Sequence, residues 1–230
     1  MSQDLLSQEE IDALLRGAGL APRGLSAKEQ EVLREALSVF ASSVVGVLSM
    51  LAGKEVSGEL SSLEERSAEE LSSALAGTHL LYGFRWDGEV SGPSFVLASE
   101  HDALVISDLM MGGNGLELPP SMNELYLSAA NEAMSQALGA SATSLASVVG
   151  GKLLVKDASG ALVEPSPAMF EGVEGSSRLA VGELSFRVSE VGEIALRLAM
   201  PLDVARAFAE RITAVLAPEE APQEEPKPQP

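Results

Sequence analysis

The stretch SAKEQEVLREALSVFASSVVGVLSMLAG, residues 26–53, decides the fold, because a second stretch of the same design follows it. Ser26 and Glu29 have the spacing of a helix capping box, and the apolar residues after them recur at helical spacing. The segment SMNELYLSAANEAMSQALGASATSLASVVGG repeats this design, with a capping box expected at Ser121 and Glu124. Two long helices of one pattern indicate an internal duplication.

The two stretches superpose at an offset of 97 residues, and the superposition matches Glu35 with Glu132, Ser38 with Ser135, Leu48 with Leu145 and Gly53 with Gly150. We therefore divide the chain into two repeats, residues 26–115 and 121–216. The pattern predicts an α/β (α+β) fold with a pseudo-twofold axis, in which hairpins from both halves form one mostly antiparallel sheet covered by long helices.

The elements that follow each long helix occur in the same order. In the first repeat they are a strand, KEVSGELSSL; a short helix, SAEELSSALAG; a hairpin, THLLYGFRW with PSFVLAS; and a closing helix, EHDALVISDLMMGGNG. In the second they are a strand, KLLVKDAS; a hairpin, SSRLAVGELSFRVSE with GEIALRLAM; and a closing helix, LDVARAFAERITAVL. Alternating apolar residues with glycines at the turns are typical of such hairpins.

Composition excludes several classes of function. The chain carries 34 acidic and 15 basic residues, a formal charge of -19, which repels nucleic acid and anionic lipid surfaces. It contains no cysteine, and its two histidines stand apart, so a metal centre is not expected. Acidic residues near the start argue against a signal peptide, and we expect no apolar run of membrane-spanning length. These features predict a cytoplasmic protein.

The two ends of the chain differ from the body in sequence pattern and composition. In LLSQEEIDALLRG, Ser7 and Glu10 have capping-box spacing, and the apolar residues form one stripe of a short helix. Residues 17–25 indicate a flexible tether, so that the stripe is displayed for a partner's groove; the alternative is that the helix folds back onto the body. Residues 217–230, APEEAPQEEPKPQP, are a proline-rich acidic linker.

Each long helix carries a glutamate three residues before a serine, namely Glu35 with Ser38 and Glu132 with Ser135. Residues at this spacing share one face of a helix. Such pairs are ordinary on exposed faces, but their duplication at equivalent positions favours a site. A covalent serine nucleophile is disfavoured, because neither helix offers a nearby histidine or lysine as its base.

Three segments resemble the flagellar switch proteins that carry a CheC-type phosphatase domain: LSQEEIDALL, LSAANEAMSQALGASATSLASVV and LVISDLMMGGNG. The resemblance covers residues 1 to about 216. It implies a CheY-binding helix at 1–16 with contacts from Leu6, Ile11, Leu14 and Leu15, a tether at 17–25, a CheC-like domain at 26–216, and a linker at 217–230 to a missing C-terminal FliN-like domain.

In the CheC-type pattern an Asp or Ser precedes a Glu by four residues, an Asn follows three later, and a Pro follows 23 after the Asn. The first half offers Glu31, Glu35, Ser38 and Ser61 at these places, and the second offers Ser128, Glu132, Ser135 and Ala158. Both glutamates are kept. Both asparagines are serine and both prolines are lost.

The resemblance implies that each glutamate docks a lysine of phosphorylated CheY, while the asparagine amide orients a water for in-line attack on the aspartyl phosphate. Glu31 and Ser128 would support the site. A hydroxyl reaches less far than an amide and lacks its planar donor and acceptor. We therefore expect docking to survive better than turnover.

The same resemblance implies which partners, cellular location and cofactors to expect. Partners are phosphorylated CheY and the switch proteins FliM, FliN and FliG, in the C-ring beneath the inner membrane. No cofactor is expected in the protein itself, and Mg²⁺ is expected on the CheY substrate. The alternative is a non-catalytic FliM-like rotor scaffold that only recruits CheY. Under that alternative, the glycines of residues 112–115 would contact another rotor protein. The simpler interpretation is that these glycines end a helix.

Replacing Ile11 and Leu14 by alanine is expected to weaken binding of phosphorylated CheY at least about tenfold, because each buried apolar side chain contributes ~1.5 to 3 kcal/mol. A titration against phosphorylated CheY measures this, and unchanged affinity would refute the displayed helix. As the control, deletion of residues 1–20 should leave the melting temperature of the body nearly unchanged.

Overall fold

A computed structural model of the protein describes residues 24–173 and 177–217. The first half contains α1 (Ala27–Ala52), β1 (Val56–Ser67), α2 (Ala68–Ser73), β2 (His79–Gly88), β3 (Gly92–Ser99) and α3 (Glu100–Met110). The second contains α4 (Glu124–Val148), β4 (Leu153–Val163), a 3-10 turn (Pro167–Met169), β5 (Arg178–Val188), β6 (Gly192–Pro201) and α5 (Leu202–Leu216). The hypothesised CheY-binding helix at 1–16, the predicted tether up to residue 23 and the acidic linker beyond Ala217 lie outside the described residues. The prediction of a flexible tether is wrong at its last residue, because Leu25 is buried in the core and its N–H donates to the Glu65 carboxylate at 2.7 Å.

The six strands form one sheet in the order β1-β5-β6-β3-β2-β4, and every neighbouring pair is antiparallel. Exchanging the two halves gives the same order in reverse. The central pair, β3 with β6, is registered with Val96 opposite Leu198. The first strand of each half pairs with the hairpin of the other half. The predicted α/β fold with a pseudo-twofold axis is therefore confirmed.

The residues that begin and end the long helices test the alignment of the two repeats at an offset of 97 residues. Ser26 and Glu29 form the predicted capping box, with each side chain accepting the other's backbone N–H. Gly53 and Gly150, which end the two helices, both adopt the left-handed conformation that favours glycine, with φ of 59° and 71°. This agreement supports the offset of 97 residues.

The capping box predicted at Ser121 and Glu124 is wrong. Glu124 is the first helical residue of α4, and Asn123 precedes it as the N-cap. The Asn123 side-chain oxygen accepts a hydrogen bond of 3.0 Å from the Tyr126 N–H. Asparagine is as good a cap as serine, and this one stands next to the helical turn that it caps.

The main core lies between one face of the sheet and the long helices. Eight residues of α1 are buried there, including Phe40, and the ring of Trp86 on β2 meets that of Phe208 on α5 edge to face at 5.5 Å. A smaller cluster covers the other face, where Phe95 packs against Phe170 beside α2 and the 3-10 turn. The sheet is thus apolar on both sides, with the long helices on one.

The expectation that no apolar run reaches membrane-spanning length is wrong for α1. This helix is long and apolar enough to cross a membrane by length and composition. In this fold, however, α1 packs along β1 and β5 and contributes buried side chains to the main core, as the central helix of a globular domain does.

Replacing Phe208 by alanine is expected to lower the free energy of unfolding by about 3 to 5 kcal/mol, because a buried aromatic ring is lost and a cavity remains beside Trp86. Trp86 is the single tryptophan, so its fluorescence during denaturant unfolding reports the change. Leu216→Ala is the control, since Leu216 is 72% exposed and should change stability by less than about 0.5 kcal/mol. Equal effects of the two substitutions would contradict this packing.

Candidate functional site

The two glutamates lie at separate places on a pair of packed helices. Helices α1 and α4 touch where the Ser43 hydroxyl donates to the Ser144 hydroxyl at 2.9 Å. They run antiparallel, because α5 contacts both the start of α1 and the end of α4. Since Glu35 and Glu132 each lie in the first half of their helix, they fall on opposite sides of this contact. The molecule therefore carries two candidate sites.

A side-chain hydrogen bond to an edge strand, here called a helix tether, fixes the helical turn that presents each glutamate. The residue before Glu132, Asn131, accepts the N–H of Gly160 at 2.7 Å and donates to the Gly160 carbonyl at 3.3 Å. At the equivalent place in the first half, Arg34 donates to the Leu63 carbonyl at 3.4 Å. Both acceptors belong to edge strands, so each tether also covers an open sheet edge.

Sequence reasoning missed these tethers. Arg34 and Asn131 occupy matched positions, but their side chains differ in size and charge, so no shared motif identifies them. The sequence offered only their position as a signal, because both residues are polar and each immediately precedes a glutamate of the duplicated pair. Only the distance to the edge strand shows that both perform the same task.

In the first-half site, Glu35 and Ser38 line an open groove of about 360 Å³ between α1 and α4, together with Val39, Ser42, Ser43 and Ser144. Among residues 24–173 and 177–217 the Glu35 carboxylate has neither a hydrogen bond nor an ion pair. The Ser38 hydroxyl donates to the Arg34 carbonyl of its own helix at 2.9 Å. The site therefore offers a free carboxylate beside a hydroxyl whose single proton is already used.

The second-half site is arranged differently. The Gln136 amide donates to the Glu132 carboxylate at 2.8 Å, so this glutamate already has one partner. Ser135 is exposed, and the buried Tyr82 of β2 lies beside Asn131 on the same helix, since a Cβ at Gly160 would meet both of these side chains. Burial raises the pKa of the Tyr82 phenol, the Ser135 hydroxyl acts in the opposite sense, and the Glu132 carboxylate raises it further. Tyr82 is a site neighbour that the sequence did not reveal.

The remaining motif positions are Glu31 and Ser128 on the two long helices and Ser61 and Ala158 on the strands. Glu31 and Ser128 are exposed, one helical turn before the glutamates. The two positions that lack the expected proline, Ser61 and Ala158, each coincide with a break in strand register, in β1 and β4 respectively. The backbone is therefore irregular at matched points in both halves although neither carries a proline.

The glycines after α3 form a helix stop. The Asp108 carboxylate accepts the Gly115 N–H at 2.8 Å and the Tyr126 hydroxyl at 3.1 Å. The Asp108 carbonyl accepts the Gly113 N–H at 2.8 Å. Asp108 thus closes the turn and joins it to the first turn of α4, which favours the structural interpretation of these glycines.

The carboxylates of the two sites are dispersed. In the part of the chain that the structure describes, no group of three or more histidine, aspartate or glutamate side chains is placed to hold a metal ion. The Mg²⁺ ion expected on the CheY substrate concerns another protein and stays a prediction.

No protein-family model matches the chain. It is 32% identical over 205 residues to the flagellar motor switch phosphatase FliY of Bacillus subtilis (strain 168), a match that covers 84% of this chain and 53% of that protein. The chain thus spans about half the length of this curated relative.

Two solved structures share the fold. Thermotoga maritima FliY superposes with a TM-score of 0.76 at 22% identity, covering 83% of this chain and 98% of that one. FliM from H. pylori, in a crystal structure of a FliG–FliM complex, superposes with a TM-score of 0.65 at 13% identity, covering 80% and 100%. The chain therefore has the fold of flagellar switch proteins. With the sequence match to Bacillus subtilis FliY, it is a homologue of FliY.

Replacing Asn131 by alanine is expected to lower the free energy of unfolding by about 1 to 3 kcal/mol, because the Gly160 N–H loses its partner at the sheet edge. Denaturant unfolding followed by Trp86 fluorescence measures the loss. Gln136→Ala on the same helix removes only a side-chain pair and should stay within about 0.5 kcal/mol. If the two variants are equally stable, Asn131 does not tether α4.

Proposed function

We propose that this chain is a component of the flagellar motor switch that binds phosphorylated CheY and carries a CheC-type phosphatase site in each half. The observation that carries the proposal is the 32% identity to a flagellar motor switch phosphatase over 205 residues. The exposed glutamates on two equivalent helices support it, because they stand where the CheC-type pattern places its docking residues.

Each glutamate supplies a carboxylate for a lysine ammonium of CheY. An exposed ion pair of this kind contributes about 0 to 1 kcal/mol, so it sets orientation more than affinity. The bulk of the affinity then comes from elsewhere, which suits a displayed helix with Ile11 and Leu14 on its apolar stripe. A chain with a net charge of -19 must recognise its partner through such local contacts.

Hydrolysis requires that a water be held in line with the aspartyl phosphate. Serine replaces asparagine at both places that would hold it, and a shift of ~1 Å at such a group can lower the rate by about 100-fold. The Mg²⁺ ion would be held by CheY. This chain would contribute docking and orientation through Glu35, Ser38, Glu132 and Ser135, with Glu31 and Ser128 in supporting positions.

The assembly partners follow from the relatives. H. pylori FliM has been crystallised with FliG. We therefore propose FliG, FliM and FliN as neighbours of this chain, in the C-ring on the cytoplasmic side of the inner membrane.

One observation favours a second candidate function, a switch scaffold that recruits CheY without hydrolysing its phosphate. The Ser38 proton is committed to the Arg34 carbonyl, so this hydroxyl can only accept a hydrogen bond from a water. A scaffold keeps the docking glutamates and needs no water-orienting group.

The deciding measurement is the decay of phosphorylated CheY with and without this chain, beside a variant with Ser38→Asn and Ser135→Asn. If the chain with serine at both positions accelerates decay, serine orients the water and the phosphatase function holds. Acceleration by the double variant alone identifies the scaffold. Acceleration by neither refutes the phosphatase site. Glu35→Ala with Glu132→Ala is the matched control and should abolish any acceleration, because CheY is no longer held in the productive orientation.

A further inference from the structure

The two edge strands of the sheet carry opposite charges at matched positions. The offset of 97 residues that aligns the long helices also aligns the strands after them, and it places three exposed residues of one strand against three of the other. These matches are Glu55 with Lys152, Ser57 with Leu154 and Glu59 with Lys156. The ladders agree, since Val56 and Leu153 each begin the pairing with a hairpin. One edge of the sheet is therefore acidic where the other is basic.

The basic residues of β4 lie on the face of the sheet that points away from the long helices. Leu153 is buried in the main core, and neighbouring residues of a strand point to opposite faces. Lys152, Leu154 and Lys156 therefore share the outer face. Arg85 of β2 is exposed and stands opposite Lys156. We call these four residues the basic edge.

Nearby carboxylates do not cancel the charge of the basic edge. Asp87 is paired with Lys156 at 2.8 Å, and Asp157 is the next residue along the strand. Three cations thus face two anions, which leaves a net positive charge on a chain with a formal charge of -19. An acidic segment is the ligand that complements such a surface.

Helix α5 ends beside the start of the basic edge. A Cβ at Gly150 would meet the Val215 side chain, and the Arg211 guanidinium donates to the Val149 carbonyl at 3.2 Å. The last turns of α5 thus lie on the residues that join α4 to β4. Lys152 follows Gly150 by two residues, a span of at most about 7 Å.

The acidic linker continues from this point. After Ala217 the sequence reads PEEAPQEEPKPQP, with glutamates at 219, 220, 224 and 225 and one lysine at 227. A chain spans up to about 3.3 Å per residue, so the first glutamate pair can reach Lys152 and the second can reach Lys156, about 13 Å further along β4. Because β4 is an edge strand, the linker passes to the outer face without crossing another strand.

The other end of the chain joins the body elsewhere. Residues 1–23 also carry several carboxylates, but they lead into Leu25, whose N–H donates to the Glu65 carboxylate of β1 at 2.7 Å. They therefore enter at the opposite edge of the sheet. That edge carries Glu55 and Glu59, which repel an acidic segment.

We propose that the acidic linker beyond Ala217 docks along the basic edge of its own chain. Its glutamates pair with Lys152, Lys156 and Arg85, and its prolines cover Leu154, which is 37% exposed. Each exposed ion pair is weak, so docking depends on several pairs and on the short connection that holds the partners near each other. The docked linker fixes the direction in which the chain leaves the body.

Paramagnetic broadening tests the inference. The chain contains no cysteine, so Gln223→Cys carries a single nitroxide label in the middle of the linker. In the isotope-labelled protein we expect the amide signals of residues 152–156 to lose about half their intensity at ~10 mM salt and to recover at ~1 M salt, where exposed charges are screened.

Charge reversal supplies the variants. Lys152→Glu with Lys156→Glu gives β4 the charges of β1 and should abolish the broadening. Arg66→Glu with Arg187→Glu is the matched control, because it reverses two charges on β1 and β5 and should leave the broadening at residues 152–156 unchanged.

A charge swap separates attraction from a local change of structure. Adding Glu219→Lys, Glu220→Lys, Glu224→Lys and Glu225→Lys to the Lys152→Glu, Lys156→Glu variant should restore part of the broadening, because both partners then have reversed signs. Arg85 keeps its charge, so recovery is incomplete.

Broadening that survives Lys152→Glu with Lys156→Glu, or that does not respond to salt, would overturn the inference. A mixture in which label and isotope lie on different copies should show none, and broadening there would assign the basic edge to a second copy instead. Deletion of residues 1–20 should leave the signals of residues 152–156 in place. If that deletion shifts them and removal of residues 218–230 does not, the N-terminal segment is the occupant and the inference fails.

Discussion

The antiparallel pairing of β3 with β6 is the constraint on which the rest of the molecule depends. It joins the two halves at the centre of one sheet, with Val96 opposite Leu198. Each half then lends its first strand to the hairpin of the other, so neither half owns a complete sheet. Each long helix packs against the first strand of its own half. Because these strands lie at opposite edges of the sheet, α1 and α4 come together antiparallel and present their glutamates at separate sites.

The two halves share one backbone arrangement, but their candidate sites differ. The tethers at Arg34 and Asn131 use different side chains to fix the same helical turn. The strand residues opposite the tethered ones also differ, since Tyr82 faces Gly160 and Gly182 faces Leu63. Among the residues that the structure describes, the Glu35 carboxylate has no hydrogen-bond partner, whereas the Glu132 carboxylate accepts a hydrogen bond from the Gln136 amide. Symmetry at the level of hydrogen-bonded strands therefore leaves the chemistry of each half free to diverge, since a site depends on a few side chains.

The order of elements and the pseudo-twofold axis could be predicted from the sequence, because apolar spacing, caps and glycines repeat along the chain. The same repetition predicted Glu35 and Glu132 as site residues, and the structure shows that both are exposed. The helix start at Asn123 was missed because two good caps stand close together. The position of Tyr82 beside Asn131 could not be predicted, because it depends on strand register and on the absence of a side chain at Gly160.

The apolar character of α1 has a consequence during synthesis. The helix leaves the ribosome early, yet β5, against which part of it packs, is made much later in the chain. Until then its uncharged apolar face has no complete sheet to cover it, and exposed surface of this kind promotes aggregation and misdirected insertion. The exchange of strands that makes the finished domain a single unit thus delays the burial of this helix until the second half of the chain has been made.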